Sequence, residues 1–283
     1  MSWNTINFSQ AVILRGTVQQ SATDEGLIWN PPSFTHSVQD SSGGASRFVS
    51  REGCAIRRFE LHNRSGGVAF VGVGFRLHNR FWQAGQWDNS ETTAYIDDTT
   101  DAQDVGANDF ALETAATAND GFVIASRVPF GWVSINVGTA GVDGAGATDR
   151  AVRYSNWAGT GWTTLATNSA YTDNFTSTNT VWAAWENVFV LRPPVNWGKV
   201  VSLNGVPAGM YAINVQSTTA PDTTAALVTA IEVGTLIPVE AVADNGTYYS
   251  EQSTYRQPEA DAVVAYFGTA NAGNGGYVEV TSI

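Results

Sequence analysis

The side chains of this 283-residue chain that could do acid–base, nucleophilic or metal chemistry are three histidines, one cysteine and 26 acids. Their spacing builds no known catalytic device. Gly-x-Ser-x-Gly, Gly-x-x-x-x-Gly-Lys-Ser/Thr and His-Glu-x-x-His are all absent. That removes the nucleophile elbow, the phosphate loop and the zinc-protease helix. His36, His62 and His78 all lie in the N-terminal region, and nothing supports a Ser-His-Asp triad. Cys54 stands between Gly53 and Ala55 with no base beside it and reads as a small core residue. Being alone, it forms no intramolecular disulfide. Paired carboxylates for glycoside cleavage stay open, since any two of the 26 acids can meet in a cleft. The expectation is a protein with no enzymatic activity and no cofactor.

Weaker constellations point to contacts. Phe59-Glu60-Leu61-His62-Asn63-Arg64 is echoed by Phe75-Arg76-Leu77-His78-Asn79-Arg80. Two imidazoles can bind a metal, but no cysteine supports that here. The pattern reads better as two adjacent strands ending in similar turns, with Arg64 and Arg80 as contact candidates. Segment 88–104 is acidic throughout, and Asp97, Asp98 and Asp101 are its calcium candidates. The spacing does not fit an EF-hand loop, so the expected state is a solvated acidic loop without metal. Trp82, Trp87, Trp182 and Trp185 are the aromatic contact candidates. Trp182 and Trp185 are three apart, so on a strand they face opposite sides and one is exposed.

The elements that would position these residues read as strands. Val68–Phe75, Phe122–Ala125, Trp132–Val137, Val188–Leu191 and Tyr211–Val215 are β-rich runs. Along Trp132–Val137, Trp132, Ser134 and Asn136 share one face and Val133, Ile135 and Val137 the other, as in a half-buried strand. Residues 262–267 and 277–280 flank a glycine-rich stretch and read as a hairpin. Helix signals are few: 222–231 fits a short helix or a strand, and 109–117 a brief helix. The fold class is all-β, with antiparallel β-sandwich domains and few or no helices. The Ala/Thr-rich run 111–118 is the candidate boundary, dividing an N-terminal β-domain, 1–115, from a β-sandwich domain, 116–283. Residues 217–283 form its last strands or a separate small sheet.

Residues 121–215 carry an ordered pattern. Gly121-Phe122-Val123-Ile124-Ala125-Ser126 leads to Val128-Pro129-Phe130-Gly131-Trp132-Val133-Ser134-Ile135. Val152-Arg153-Tyr154-Ser155 precedes Gly159-Thr160-Gly161-Trp162 and Leu165, a hairpin whose turn needs residues able to take φ > 0. Pro193-Pro194-Val195-Asn196-Trp197-Gly198-Lys199, Leu203-Asn204-Gly205-Val206 and Tyr211-Ala212-Ile213-Asn214-Val215 follow. Asn204-Gly205 is the strongest short hairpin signal. Trp132, Trp162 and Trp197 have the size to fill the space between two sheets. This order resembles a β-sandwich module that recurs in bacteriophage virion structural proteins. The closing strand departs from the pattern, with Ile-Asn where Ile-Arg is expected.

The resemblance implies a virion structural role, of the capsid decoration or tail-associated type. Implied partners are the major capsid protein or other virion proteins, together with further copies of the chain, for instance as a trimer. Composition agrees with a role in contacts. Only 14% of residues are charged, the net charge is −12, and Lys199 is the single lysine. A phosphate backbone is held by Lys and Arg, so no direct nucleic-acid partner is expected. No apolar run reaches membrane-spanning length and no signal peptide is recognised. The expected location is the virion, assembled in the host cytoplasm. The leading expectation is a capsid decoration or cement protein. The alternative is a tail, baseplate or fibre component that binds a host glycan or receptor.

Overall fold

The computed structural model describes residues 12–17, 26–29, 47–48, 56–62, 69–104, 109–113, 118–142, 150–165, 186–190, 193–217, 224–249, 262–267 and 277–282. Eighteen strands are distinguished there, and all but one of the pairings given below are antiparallel. They are β1 (Val12–Thr17), β2 (Gly26–Trp29), β3 (Arg47–Phe48), β4 (Ile56–His62), β5 (Ala69–Arg76) and β6 (Trp82–Trp87). Next come β7 (Tyr95–Asp97), β8 (Phe110–Ala111), β9 (Gly121–Ser126), β10 (Trp132–Thr139), β11 (Arg150–Ser155) and β12 (Trp162–Thr164). The last are β13 (Glu186–Val190), β14 (Tyr211–Ser217), β15 (Leu227–Val242), β16 (Thr247–Tyr249), β17 (Ala262–Phe267) and β18 (Tyr277–Ser282). One short helix, α1 (Thr99–Gln103), and one 3-10 turn, Asn79–Phe81, complete the described elements. The fold is all-β.

The chain divides into two compact units, 1–75 with 237–283, and 76–236. The break expected near residue 115 is therefore not where the contacts divide. The reason is strand pairing: β6, before that run, pairs along its whole length with β9, after it. Likewise the C-terminal strands return to the N-terminal ones instead of closing the second unit. In the first unit, β1, β18, β4 and β16 form one sheet in that order. β17 lies between β5 and β2, and β2 pairs in parallel with β3. β17 and β18 are thus not the hairpin that their proximity in sequence suggested. A nine-residue connection imposes no register, so each strand pairs elsewhere. β4 and β5, which carry the two echoed motifs, also lie in different sheets rather than side by side.

In the second unit, six strands run in the order β12-β11-β14-β9-β6-β7. Facing them, β10 pairs with β13 and β15, and β8 with the start of β15. The stretch 222–231, open between helix and strand by sequence, enters β15, and 109–117 contributes β8. The Val/Ile content of the first and the pairing partner of each decided this. Between the two layers lies a continuous core. Trp82, Ala84, Phe122, Ile124, Val152, Tyr154, Ile213 and Val215 enter it from the six-stranded sheet. Val133, Ile135, Val137, Val228, Ile231 and Val233 enter it from the other layer. Alternation on β10 is as expected, with the valine face inward. Trp132 is consequently on the opposite face, fully buried, with its indole against Gly234, where even a methyl group would collide.

The centre of the six-stranded sheet is buried on both faces. All six residues of β9 are buried, with Val123 and Ala125 pointing away from the main core into a second one. That second core holds Trp87, Tyr95 and Ala212 from the sheet, and Val200, Leu203, Val206 and Met210 from the segment 193–210. This segment crosses the sheet as a strap. Trp87 and Trp162 lie four strands apart in sheet order, roughly 19 Å on a flat sheet. Their rings nevertheless meet edge to face at 5.6 Å. The sheet therefore curls around the strap.

Candidate functional site

The most exposed large apolar side chains of the described residues gather where the strap begins. Trp157 is 76% exposed, Val195 99% and Val201 68%. The turns that carry them are held by backbone hydrogen bonds. Asn156 to Gly159 is a β-turn: the Gly159 N–H donates to the Asn156 carbonyl at 2.9 Å, which puts Trp157 at the second position of the turn. Gly159 takes φ +69°, which its type permits. The Asn156 side-chain oxygen accepts from the Thr160 N–H at 3.2 Å, and the Asn156 backbone N–H donates to the Gly161 carbonyl at 2.9 Å. This closes the β11–β12 hairpin as its glycines predicted.

Pro194 to Trp197 makes a second turn, with the Trp197 N–H donating to the Pro194 carbonyl at 3.1 Å and Val195 at the tip. The strap then lies directly on the first turn. Val201 and Ser202 N–H both donate to the Gly159 carbonyl, at 2.8 and 3.1 Å. A Cβ on Gly198 would sit 2.2 Å from the Asn156 carbonyl oxygen, so only glycine allows this approach.

Beneath the corner is a buried anchor. Trp197 is buried and stacks edge to face on Phe130 at 5.0 Å and Tyr211 at 5.7 Å. Its indole N–H is shared between Ser155 Oγ and the Ala212 carbonyl, each at 3.1 Å. Ser155 Oγ donates to the Gly198 carbonyl at 2.6 Å and accepts from the Ala212 N–H at 3.2 Å. The Tyr154 hydroxyl reaches Asn196 Oδ1 at 2.9 Å. The Ser155 hydroxyl thus ties β11, the strap and β14 together. Lys199 Nζ lies 5.4 Å from the Tyr211 ring, a cation–π contact that keeps the ammonium at the same corner.

The expected contact residues fall differently. Trp82 and Trp87 are buried in the two cores, on opposite sides of the sheet, and are not surface contacts. The alternation of β6 between two covered faces decides this. Arg80 is exposed with its guanidinium 5.0 Å from the Phe81 ring centroid. Trp182, Trp185, Arg64 and Cys54 lie outside the described residues. Of the three tryptophans expected between the sheets, only Trp197 is there, since Trp162 belongs to the outer core. Asn204-Gly205 forms its turn, with φ +42° and +89°, but inside the strap and without flanking strands. Trp157 was not singled out. Its signal was legible: a tryptophan inside a Ser-Asn-Trp-Ala-Gly turn has no strand to bury it.

His78 caps the 3-10 turn, its Nδ1 accepting from the Arg80 N–H at 3.3 Å. Among the described residues no group of three or more His, Cys, Asp or Glu is placed to hold a metal ion. Asp97 and Asp98 of the calcium candidates hold local structure. Asp97 accepts from the Thr99 N–H and hydroxyl. Asp98 lies at the start of α1, and burial is the main cause that raises its carboxyl to about 6, followed by a hydrogen bond with Asp101 and the charges of Asp101 and Asp109. No helix among the described residues is long and apolar enough to cross a membrane. Comparison with protein-family models finds no match for the chain, and no curated protein or solved structure matches it either.

Proposed function

We propose that this chain is a non-enzymatic virion structural protein, a capsid decoration or cement protein that works by burying surface against a neighbouring protein. The observation that carries this reading is the Trp157 corner. Three large apolar side chains stand in water on a backbone held rigid from below. Burying them against a partner recovers roughly 25 cal/mol for each Å² of apolar area removed from water. The rigid anchor keeps the entropy cost of ordering the contact low. Trp is also the residue type most enriched among contacts that dominate binding. The corner is built from the two stretches, 154–162 and 193–199, that carry the resemblance to phage structural modules.

The test is mass spectrometry of purified particles carrying the chain, with copy number, alongside particles carrying the Trp157→Ala variant. Hundreds of copies, lost on Trp157→Ala, support shell decoration. A handful of copies places the chain in a tail or neck instead. Absence from particles sinks the reading.

A further inference from the structure

We infer that the end of the six-stranded sheet that bears the Trp157 corner docks an acidic and apolar segment of a neighbouring protein. The inference rests on reading the corner as a contact face and adds the chemistry of what covers it. Strand register sets the layout. Trp82, Ser126 and Tyr211 stand opposite one another on β6, β9 and β14. Just beyond that row, the Arg127 N–H donates to the Phe81 carbonyl at 2.9 Å, which puts Arg127 beside Phe81 and Arg80. Lys199 bridges Tyr211 on the other side of β14. The Trp157 turn continues from the end of β11, the next strand in the sheet. From β6 to β11 is three strand spacings, roughly 15 Å. Arg80, Arg127, Lys199 and Trp157 therefore line one end of one sheet. Phe130, in the same loop as Arg127, stacks on Trp197 at 5.0 Å and ties that loop to the anchor under the corner.

Two properties of this end name its occupant. The first is charge. Arg80, Arg127 and Lys199 are exposed, and none forms an ion pair with a described residue. The Arg80 and Lys199 charges lie over the rings of Phe81 and Tyr211, contacts that place the cations without neutralising them. Stretches 79–81, 126–131, 156–161 and 193–202, which build this end, contain no Asp or Glu. The chain as a whole has 26 acids against 14 Lys and Arg, so carboxylates are plentiful and this end is left without them. The second property is apolar exposure. Six large apolar side chains are exposed among the described residues, and four of them lie here: Trp157, Val195, Val201 and Val128. A nucleic acid or an acidic glycan would neutralise the cations but leave the valines in water. A protein segment with both carboxylates and apolar side chains satisfies both, and Arg and Trp are the types that dominate such contacts.

The test is fluorescence anisotropy of a labelled random copolymer of glutamate and tyrosine, titrated with the full chain at low and high ionic strength. The expected result is saturable binding that weakens with salt. Poly-glutamate of the same length binds about tenfold more weakly, since it offers no apolar surface. Heparin and single-stranded DNA bind no better than poly-glutamate. Trp157→Ala weakens copolymer binding about 30-fold, the effect of losing a central hot-spot side chain. Arg127→Glu weakens it about tenfold, by setting like charges against each other. Both side chains are exposed, so both variants keep the parent's melting temperature. Glu91→Gln, beyond the opposite end of β6, keeps the parent's affinity. A copolymer that does not bind, binding that neither variant weakens, or tighter binding of heparin or DNA overturns the inference. So does sedimentation showing that the chain self-associates through Arg127 and Trp157, which makes a second copy the occupant. Particles that lose the chain on Trp157→Ala but not on Arg127→Glu sink the inference alone and leave the proposed function standing. Copolymer binding as described, by a chain absent from particles, does the reverse.

Discussion

The two ends of the strap 193–210 differ in what holds them and in what they show to water. At its first end, Trp197 and Ser155 make a buried hydrogen-bonded anchor, and apolar side chains project outward above it. At its far end, the strap rests on β7. The Tyr95 N–H donates to the Asn204 carbonyl at 3.0 Å, and Gly205 lies against Thr93 and Tyr95. That end lies on the acidic segment 88–104. The difference teaches that an exposed apolar surface needs a rigid support. Without one, turn residues of this kind would collapse onto the sheet and bury themselves.

Breaking the first end should have the largest effect. Trp197→Ala removes a buried indole and three sets of contacts, for an expected loss of about 3–5 kcal/mol in urea unfolding. A loss below about 1 kcal/mol would mean that the strap does not depend on it. Ser155→Ala is expected to cost about 1–3 kcal/mol, because the Ala212 N–H loses the Ser155 Oγ as its acceptor while the indole N–H keeps the Ala212 carbonyl. At the far end, Gly205→Ala forces a Cβ onto a residue at φ +89° and to 2.6 Å from Thr93 Cγ2. The expected cost is about 1–2 kcal/mol, read as a fall in the unfolding midpoint.

The acidic segment 88–104 gives a pH signature. Asp98 is raised to about 6 from an ordinary 3.8, with Asp101 beside it. The folded state therefore binds more protons than the unfolded state between these values, and stability falls as pH rises from about 4 to about 6. Asp98→Asn should flatten that slope and raise the melting temperature at neutral pH, with little gain in acid. Equal slopes for both proteins across this window would remove Asp98 as its source. The smallest effect is expected for Trp157→Ala, whose stability should stay within about 0.5 kcal/mol of the parent. A substantial loss there would show that the indole supports the corner instead of being displayed by it.

Much of the fold class could be read without coordinates. Alternation in Trp132–Val137, the Gly159–Gly161 turn and the Asn204-Gly205 turn all formed where residue chemistry placed them. These are local properties: side-chain alternation and access to positive φ depend on a residue and its neighbours. Partners of strands were not legible, as β6 with β9 and β17 apart from β18 show, because pairing is decided by which apolar faces can be buried together. The same limit applied to the tryptophans. Ten indoles look alike in a sequence, and type alone points all of them to a core or an interface. Only the curl of the sheet around the strap buries Trp87 and Trp162, and only the anchor at Trp197 leaves Trp157 in water. Burial is a property of what lies opposite a side chain in space, so it belongs to the tertiary structure.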